Sequence, residues 1–448
     1  MNAPCVDVGG TPVRPLRKVA WKVYQLTPRI ASVRYRCLIP ALALEQRGVQ
    51  STVFEEGEVL TDLEDFDLLI FVKSFTASDA RLAALARRYG IPVVLDLCDN
   101  IFVAGYATDA PVSPIEGFHR MAAMSEAIVV PTEPLASRTA MATGGAAQIF
   151  TIPDPLETPD IVARLLSGAA PYRYRRDRVV PRAIAFIPYR LLARVAPALR
   201  GLARWLDPTG RVRRLVFRSA RSLLATPTRI GRALQHPRAT LRGALDRARR
   251  AFEPSPSQMS TAAPKSIHAR TRKQVLWFGQ HGAPHSKFGM ESLEALLPVL
   301  EDVNQSVPIE LIVVSNNFDR FAALERQVSF PCRYSKWTLE GIFAHLRECD
   351  VCVMPNPRDE FSITKSANRA ALALSMGVPV VATSIPSFLP FADCIALDNW
   401  KGGLLAYLTD DARRRRDVDA AQSVLAREYD SEVIAERWRN LIDTLSDA

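Results

Sequence analysis

Between residues 18 and 155, short apolar runs alternate with amphipathic stretches. "KVAWKVYQL", "FDLLIFVK", "IPVVLDL" and "EAIVVPT" are strand-length, almost continuously apolar and bounded by turn residues. Such runs suit strands buried on both faces of a parallel sheet. Between them, "RYRCLIPALALEQRG", "ASDARLAALARRYG" and "EPLASRTAMATGG" carry helical spacing and stop at glycine. The alternation returns over 272–448. There "KQVLWFG", "IELIVVS", "DVCVMP" and the short "DCIAL" read as strands, and "MESLEALLPVLEDV" and "TLEGIFAHLREC" as helices. The C-terminal stretch reads as helix throughout. Strand and helix in alternation call for right-handed crossovers and doubly wound parallel sheets. The pattern therefore predicts an α/β protein of two halves.

Charge separates those halves. The 448 residues carry a net charge of +10. Residues 161–270 alone hold 24 Lys/Arg, all but one of them Arg, against 4 Asp/Glu. This segment thus carries a surplus of 20 positive charges, and the remaining chain is net acidic. On a helical wheel, Arg182, Arg190, Arg194, Arg200 and Arg204 fall within an arc of about 120°. Ile184, Ile187, Leu191, Leu192, Val195, Leu199, Leu202, Trp205 and Leu206 take the opposite side. Pro188 and Pro197 are expected to kink this cationic amphipathic helix. Weaker versions recur at 211–225 and 228–252, and 253–271 reads as a flexible linker. A basic amphipathic helix with a boundary Trp suits an anionic membrane surface, so 182–252 is expected to dock there. Packing of its apolar face on the protein is the other open reading. No RNA-binding aromatic motif accompanies the arginines, and nucleic acid is not an expected partner.

Two classes fall away on composition. The apolar runs are far shorter than a membrane span of about 18 residues. The N-terminus lacks a basic region followed by an apolar one, so no secretory signal is expected. Seven scattered cysteines, including the pair Cys349 and Cys352, read as structural thiols in a reducing compartment rather than as a disulfide framework or zinc site.

The candidate chemistry lies in loops that follow strands. In "RDEFSITKSANRAALALSMGVPVVAT", Lys365, Ser366 and Asn368 gather at a helix start just after the strand "DVCVMP". Helix N-termini at the carboxyl end of parallel strands are ready anion sites. The alternative is an ordinary Ser cap with solvated charges. The loop "GQHGAPHSKFG" sets His281, His285 and Lys287 among glycines, and Gly279 and Gly282 permit close backbone approach to phosphate. It lacks a G-x-G-x-x-G fingerprint. "LDLCDN" ends a strand with Asp96, Asp99 and Asn100, and "SVRYRC" opens a helix with Arg34 and Arg36. One D-x-D, Asp65-Phe66-Asp67, starts the strand "FDLLIFV" at its amino end, the wrong end for a ligand, so it reads as structural.

These motifs, in this order, resemble GT-B glycosyltransferases, closest to glycosyltransferase family 4 and its relatives. "VLWFGQHGAPHSKFGMESL", "YSKWTLEGIFAHLRECDVCVMPN" and "EFSITKSANRAALALSMGVPVVA" are similar to the family's donor domain. "FDLLIFVKSF", "IPVVLDLCDN", "AIVVPTEPL" and "FTIPDPLETP" are similar to its acceptor domain, and "EYDSEVIAERWRNLI" to its C-terminal helices. The resemblance covers most of 18–158 and 272–445 but not the Arg-rich segment. It implies two Rossmann-like domains: an acceptor domain over 1–158 and a donor domain over 272–430. An insertion over 159–271 lies between them, and a C-terminal helix over 431–448 packs back on the first domain.

It also implies a function. The expected reaction moves a sugar from a nucleoside-diphosphate sugar to a glycan or lipid-linked acceptor, in cell-surface polysaccharide synthesis at the cytoplasmic face of a membrane. Gly279, His281, Gly282, Lys287, Trp337, Glu360, Lys365, Ser366 and Asn368 would bind the donor, with Trp337 either stacked on the base or in the core. Arg34 and Arg36 would meet donor or acceptor phosphates, and Asp99 would serve as general base. No metal or cofactor is expected, since the lysines and the helix N-terminus would carry the leaving-group charge. The family's E-x7-E pair is incomplete: with Glu360 as its first member, the second position is Asn368. A nucleotide-sugar epimerase or phosphorylase, or a non-catalytic membrane scaffold on the same fold, are the competing expectations.

Overall fold

A computed structural model describes residues 17–60, 62–106, 113–167, 179–181, 271–280, 282–283 and 285–447. The segment 182–252, expected to dock on a membrane, and His281 both lie outside the described residues.

The first half is built on β1 (Arg17–Val23), β2 (Val49–Glu55), β3 (Glu58–Leu60), β4 (Leu68–Val72), β5 (Val93–Asp96), β6 (Ala127–Val130) and β7 (Gln148–Thr151). Six of these form one sheet in the order β2-β1-β4-β5-β6-β7, every pair parallel. The interior strands β4, β5 and β6 are buried along their whole length, which is why their sequences do not alternate. The two edge strands, "VQSTVFE" and "QIFT", carry polar residues because one side of each ladder is open, and no apolar run marks them. Strand β3 pairs antiparallel with β8 (Val179–Pro181).

The second half repeats the plan with β9 (Lys273–Phe278), β10 (Ile309–Ser315), β11 (Cys332–Lys336), β12 (Val351–Met354), β13 (Val380–Ala382) and β14 (Ala396–Leu397). Their order is β11-β10-β9-β12-β13-β14, again all parallel. Separate apolar cores cover its two faces. The sheet order reverses between β9 and β12, and in the first half between β1 and β4. Open α/β sheets bind ligands beyond the carboxyl ends of their strands, at such reversals. The sequence pattern "MESLEALLPVLEDV" divides into Met290–Glu294 and Leu297–Ser306, because Pro298 starts a new helix more readily than it continues one.

Two segments cross between halves. Helix Ser431–Ser446 lays Ile434, Ala435, Trp438, Leu441 and Ile442 into the first-half core. Trp438 meets Trp21 edge-on at 5.2 Å, and Arg439 donates to the Arg47 carbonyl at 2.8 Å. Helix Pro159–Leu166, grouped above with the insertion, belongs to the body. Its Leu165 enters the first-half core and its Val162 the second. Apolar periodicity does not say which core a helix serves.

Candidate functional site

The carboxyl ends of both sheets converge on one cluster. Lys73 follows β4 directly, Asp99 follows β5, and Lys365 lies on the segment that leaves β12. The Asp99 carboxylate bridges the two lysines, one on each oxygen. Burial alone would raise the Asp99 pKa, but Lys365 and Lys73 outweigh it and hold the carboxyl far below the usual range. Burial likewise opposes the charge on Lys73, and Asp99 reverses this. Lys73 adopts a left-handed backbone with φ of 47°, uncommon for a residue with a side chain.

Aromatic rings enclose the second-half lysine. The Lys365 ammonium sits 4.1 Å from the centroid of the Phe361 ring and 5.8 Å from that of Phe288. His285 packs on Phe361 at 4.5 Å and on Tyr106 at 4.9 Å. Its Nε2 is buried with no hydrogen-bond partner among the described residues. Burial, and then the charge of Lys365, lower its pKa. The neighbouring Ser286 donates to Asp359 at 2.5 Å, tying the β9 loop to the β12 loop.

A second cluster centres on Asp154, beyond the end of β7. Ser366 donates to it at 2.6 Å, Asn368 at 3.3 Å and Arg36 at 3.2 Å. Thr132 donates to the Thr364 carbonyl, and Asn100 to that of Glu360, each at 2.9 Å. The loop before helix Asn368–Ser375 is thus held against the first half along its length.

The expected site residues divide on this geometry. Lys365, Ser366 and Asn368 lie together in the cleft, but Ser366 does not cap the helix. Ala367 occupies that position, and the Ser366 hydroxyl turns to Asp154. Glu360 is exposed at the rim and pairs with Arg138 at 3.1 Å. Lys287 is exposed and makes no ion pair among the described residues. Trp337 is half-buried against the second-half core. Gly279 closes on the Arg369 guanidinium, where an added Cβ would lie 2.8 Å from Nη1. Gly282 takes φ of 110°, open only to glycine at little strain.

Three expectations need correction. Arg34 and Arg36 are only 4% and 1% exposed. Arg34 pairs with Glu157 and donates to the Pro28 carbonyl at 2.7 Å. Arg36 pairs with Asp96 at 2.7 Å and Asp154 at 3.2 Å, and donates to the Ile152 carbonyl at 2.7 Å. The π-helical turn Arg34–Leu38 that carries them is buried at all five residues. Both arginines organise the first half and are not available to a phosphate. Asp99 does stand in the cleft, but a carboxylate held by two ammoniums is a weak proton acceptor. It is an ion-pair bridge here, not a poised base. Asp67, of the D-x-D, accepts from the Lys18 amide at 2.6 Å at the amino end of the sheet, as a strand-start contact should.

Sequence reasoning missed Lys73 and Asp154, and gave no role to Arg369, which stands with Lys365, Ser366 and Asn368 at the helix mouth. Lys73 follows the apolar strand β4 directly, and that position was the available signal; Asp154 lies three residues beyond β7, which no apolar run marks. Arg369 donates to the Phe278 carbonyl at 3.0 Å and to Asn356 at 3.3 Å. It buttresses the ends of β9 and β12 without a carboxylate partner among the described residues. Burial lowers its pKa.

No family model matches the sequence, and no curated protein matches it. Solved structures do match. HepE of Anabaena in complex with UDP and glucose aligns with a TM-score of 0.52 at 12% identity, covering 96% of this chain and 100% of that one. Sucrose-phosphate synthase of Thermosynechococcus elongatus aligns at 0.53 and 11% identity, covering 96% and 99%. A glycosyltransferase from Rickettsia africae aligns at 0.50 and 10% identity, covering 96% and 98%. Together with the two parallel sheets, these likenesses establish the GT-B fold for this chain.

Proposed function

We propose that the protein transfers a sugar from a nucleoside-diphosphate sugar to a glycan or lipid-linked acceptor, with the donor on the second half and the acceptor on the first. One observation carries this reading. The strand ends of both sheets meet at a cleft where a lysine from each half holds a single anionic group. A departing nucleoside diphosphate needs that kind of preorganised positive charge. HepE, of the same fold, holds UDP and glucose, which supports the donor class.

In this reading the loop after β12 supplies Lys365 to the diphosphate, while Ser366 and Asn368 hold the helix start beside it. Lys287, exposed on the loop after β9, is assigned to the same diphosphate. Cell-surface polysaccharide synthesis and a hexose donor without a metal remain part of the proposal on the sequence resemblance alone. The site is tested with a thermal-shift panel of nucleoside diphosphates and their sugars. At about a hundred times its Kd, a ligand of the native state adds about 2.7 kcal/mol of stability, so at least one member should raise Tm by several degrees. If none moves it, the donor site is misassigned. Turnover of a nucleotide sugar without any acceptor would instead identify an epimerase.

Membrane association belongs to the proposal through the Arg-rich segment 182–252. No helix among the described residues is long and apolar enough to cross a membrane. A basic amphipathic surface binds through anionic headgroups and weakens with salt. The full chain should therefore float with anionic vesicles at low ionic strength and be released at high. Protein left at the bottom of the gradient at low salt refutes peripheral docking.

A further inference from the structure

We propose that Asp99 is a resident anion in a phosphate seat shared between Lys73 of the first half and Lys365 of the second, and that an incoming diphosphate displaces it. The inference deepens the donor reading above and rests on it. Each oxygen of the Asp99 carboxylate faces one ammonium. A phosphate group presents the same paired oxygens with more negative charge. The triad is also out of balance: two lysines share one carboxylate, leaving a surplus positive charge that a more highly charged anion would neutralise better.

The seat opens to solvent. The side chains of Lys73, Lys365 and Asp99 are 30%, 33% and 18% exposed, so a ligand can reach all three. The buried pair of Lys22 and Asp79 contrasts with this, at 4% and 0%. The left-handed backbone at Lys73 adds an independent sign. An ordinary surface lysine needs no such conformation, and strain of this kind persists where neighbouring structure imposes a position. The strand end at β4 thereby aims a first-half cation at a second-half loop.

Displacement has a consequence with a definite sign. Asp99 competes with the ligand for both lysines, so removing its charge should tighten anion binding. An ion pair away from the anion's seat would give no change, and a residue that contacts the ligand favourably would give a loss. Lys73, as part of the seat, should behave oppositely. Inorganic pyrophosphate is the probe, because it carries the diphosphate without base or sugar.

The experiment is calorimetric titration of the full chain with pyrophosphate at low ionic strength, where screening is weakest. Asp99→Asn should bind about tenfold tighter than wild type, and Lys73→Met about tenfold weaker, as expected for charge pairs at a partly open site. Affinity in Asp99→Asn equal to or below wild type overturns the proposal. Should Asp99→Asn fail to fold by circular dichroism, Lys73→Met decides, since unchanged affinity there overturns the shared seat. Lys365→Met separates the two levels. If it binds like wild type, or if wild type takes up no pyrophosphate, the donor site itself is wrong. A failure confined to Asp99→Asn removes only the displacement.

Discussion

Replacing Lys365 with Met should lower nucleoside-diphosphate affinity by about 10- to 100-fold, the range for losing one charge-assisted hydrogen bond. Catalytic efficiency should fall further, by about 100- to 1000-fold, because the charge on the leaving diphosphate grows as the sugar departs. The fold should tolerate the change. Lys365 is a third exposed, and Asp99 keeps Lys73 as a partner. Calorimetry and steady-state kinetics on protein with an unchanged melting curve would check this. Wild-type affinity in the variant would remove the second half's loop from the donor site.

The largest loss of stability should come from Arg36→Met. Burial opposes the charge on Arg36, and Asp96 and Asp154 together overcome it and hold the guanidinium firmly protonated. Removing one partner of such a network leaves buried carboxylates without compensation, which typically costs about 3–5 kcal/mol. Arg36 also ties the Ile152 carbonyl, so the end of β7 should loosen with it. Denaturant unfolding should show the drop directly. A variant within about 1 kcal/mol of wild type would mean that the network is worth no more than a surface pair.

The same residue shows where sequence reading stopped. Arg34 and Arg36 stand at the mouth of a helix in the sequence, and a pair of arginines there invites a phosphate. Burial decides otherwise, and burial depends on Glu157, Asp154 and Asp96, which are 60 or more positions away along the chain. The lysine at 365 was legible for a different reason. It follows a buried strand and precedes an apolar helix, and both signals are local. Its partner Asp99 lies 266 residues away in sequence, so no spacing rule connects them.

Short apolar runs, glycine stops and their alternation determined two parallel sheets with helices between them, because strand burial and helix periodicity are written in neighbouring residues. They also singled out the loops after β5, β9 and β12 as the candidate site. Tertiary structure alone decided which charges face each other. It turned Arg36 inward, made Asp99 a bridge instead of a free base, and brought Lys73 to Lys365. Charges pair through space at a few ångströms, and the chain's fold, not its order, sets those distances.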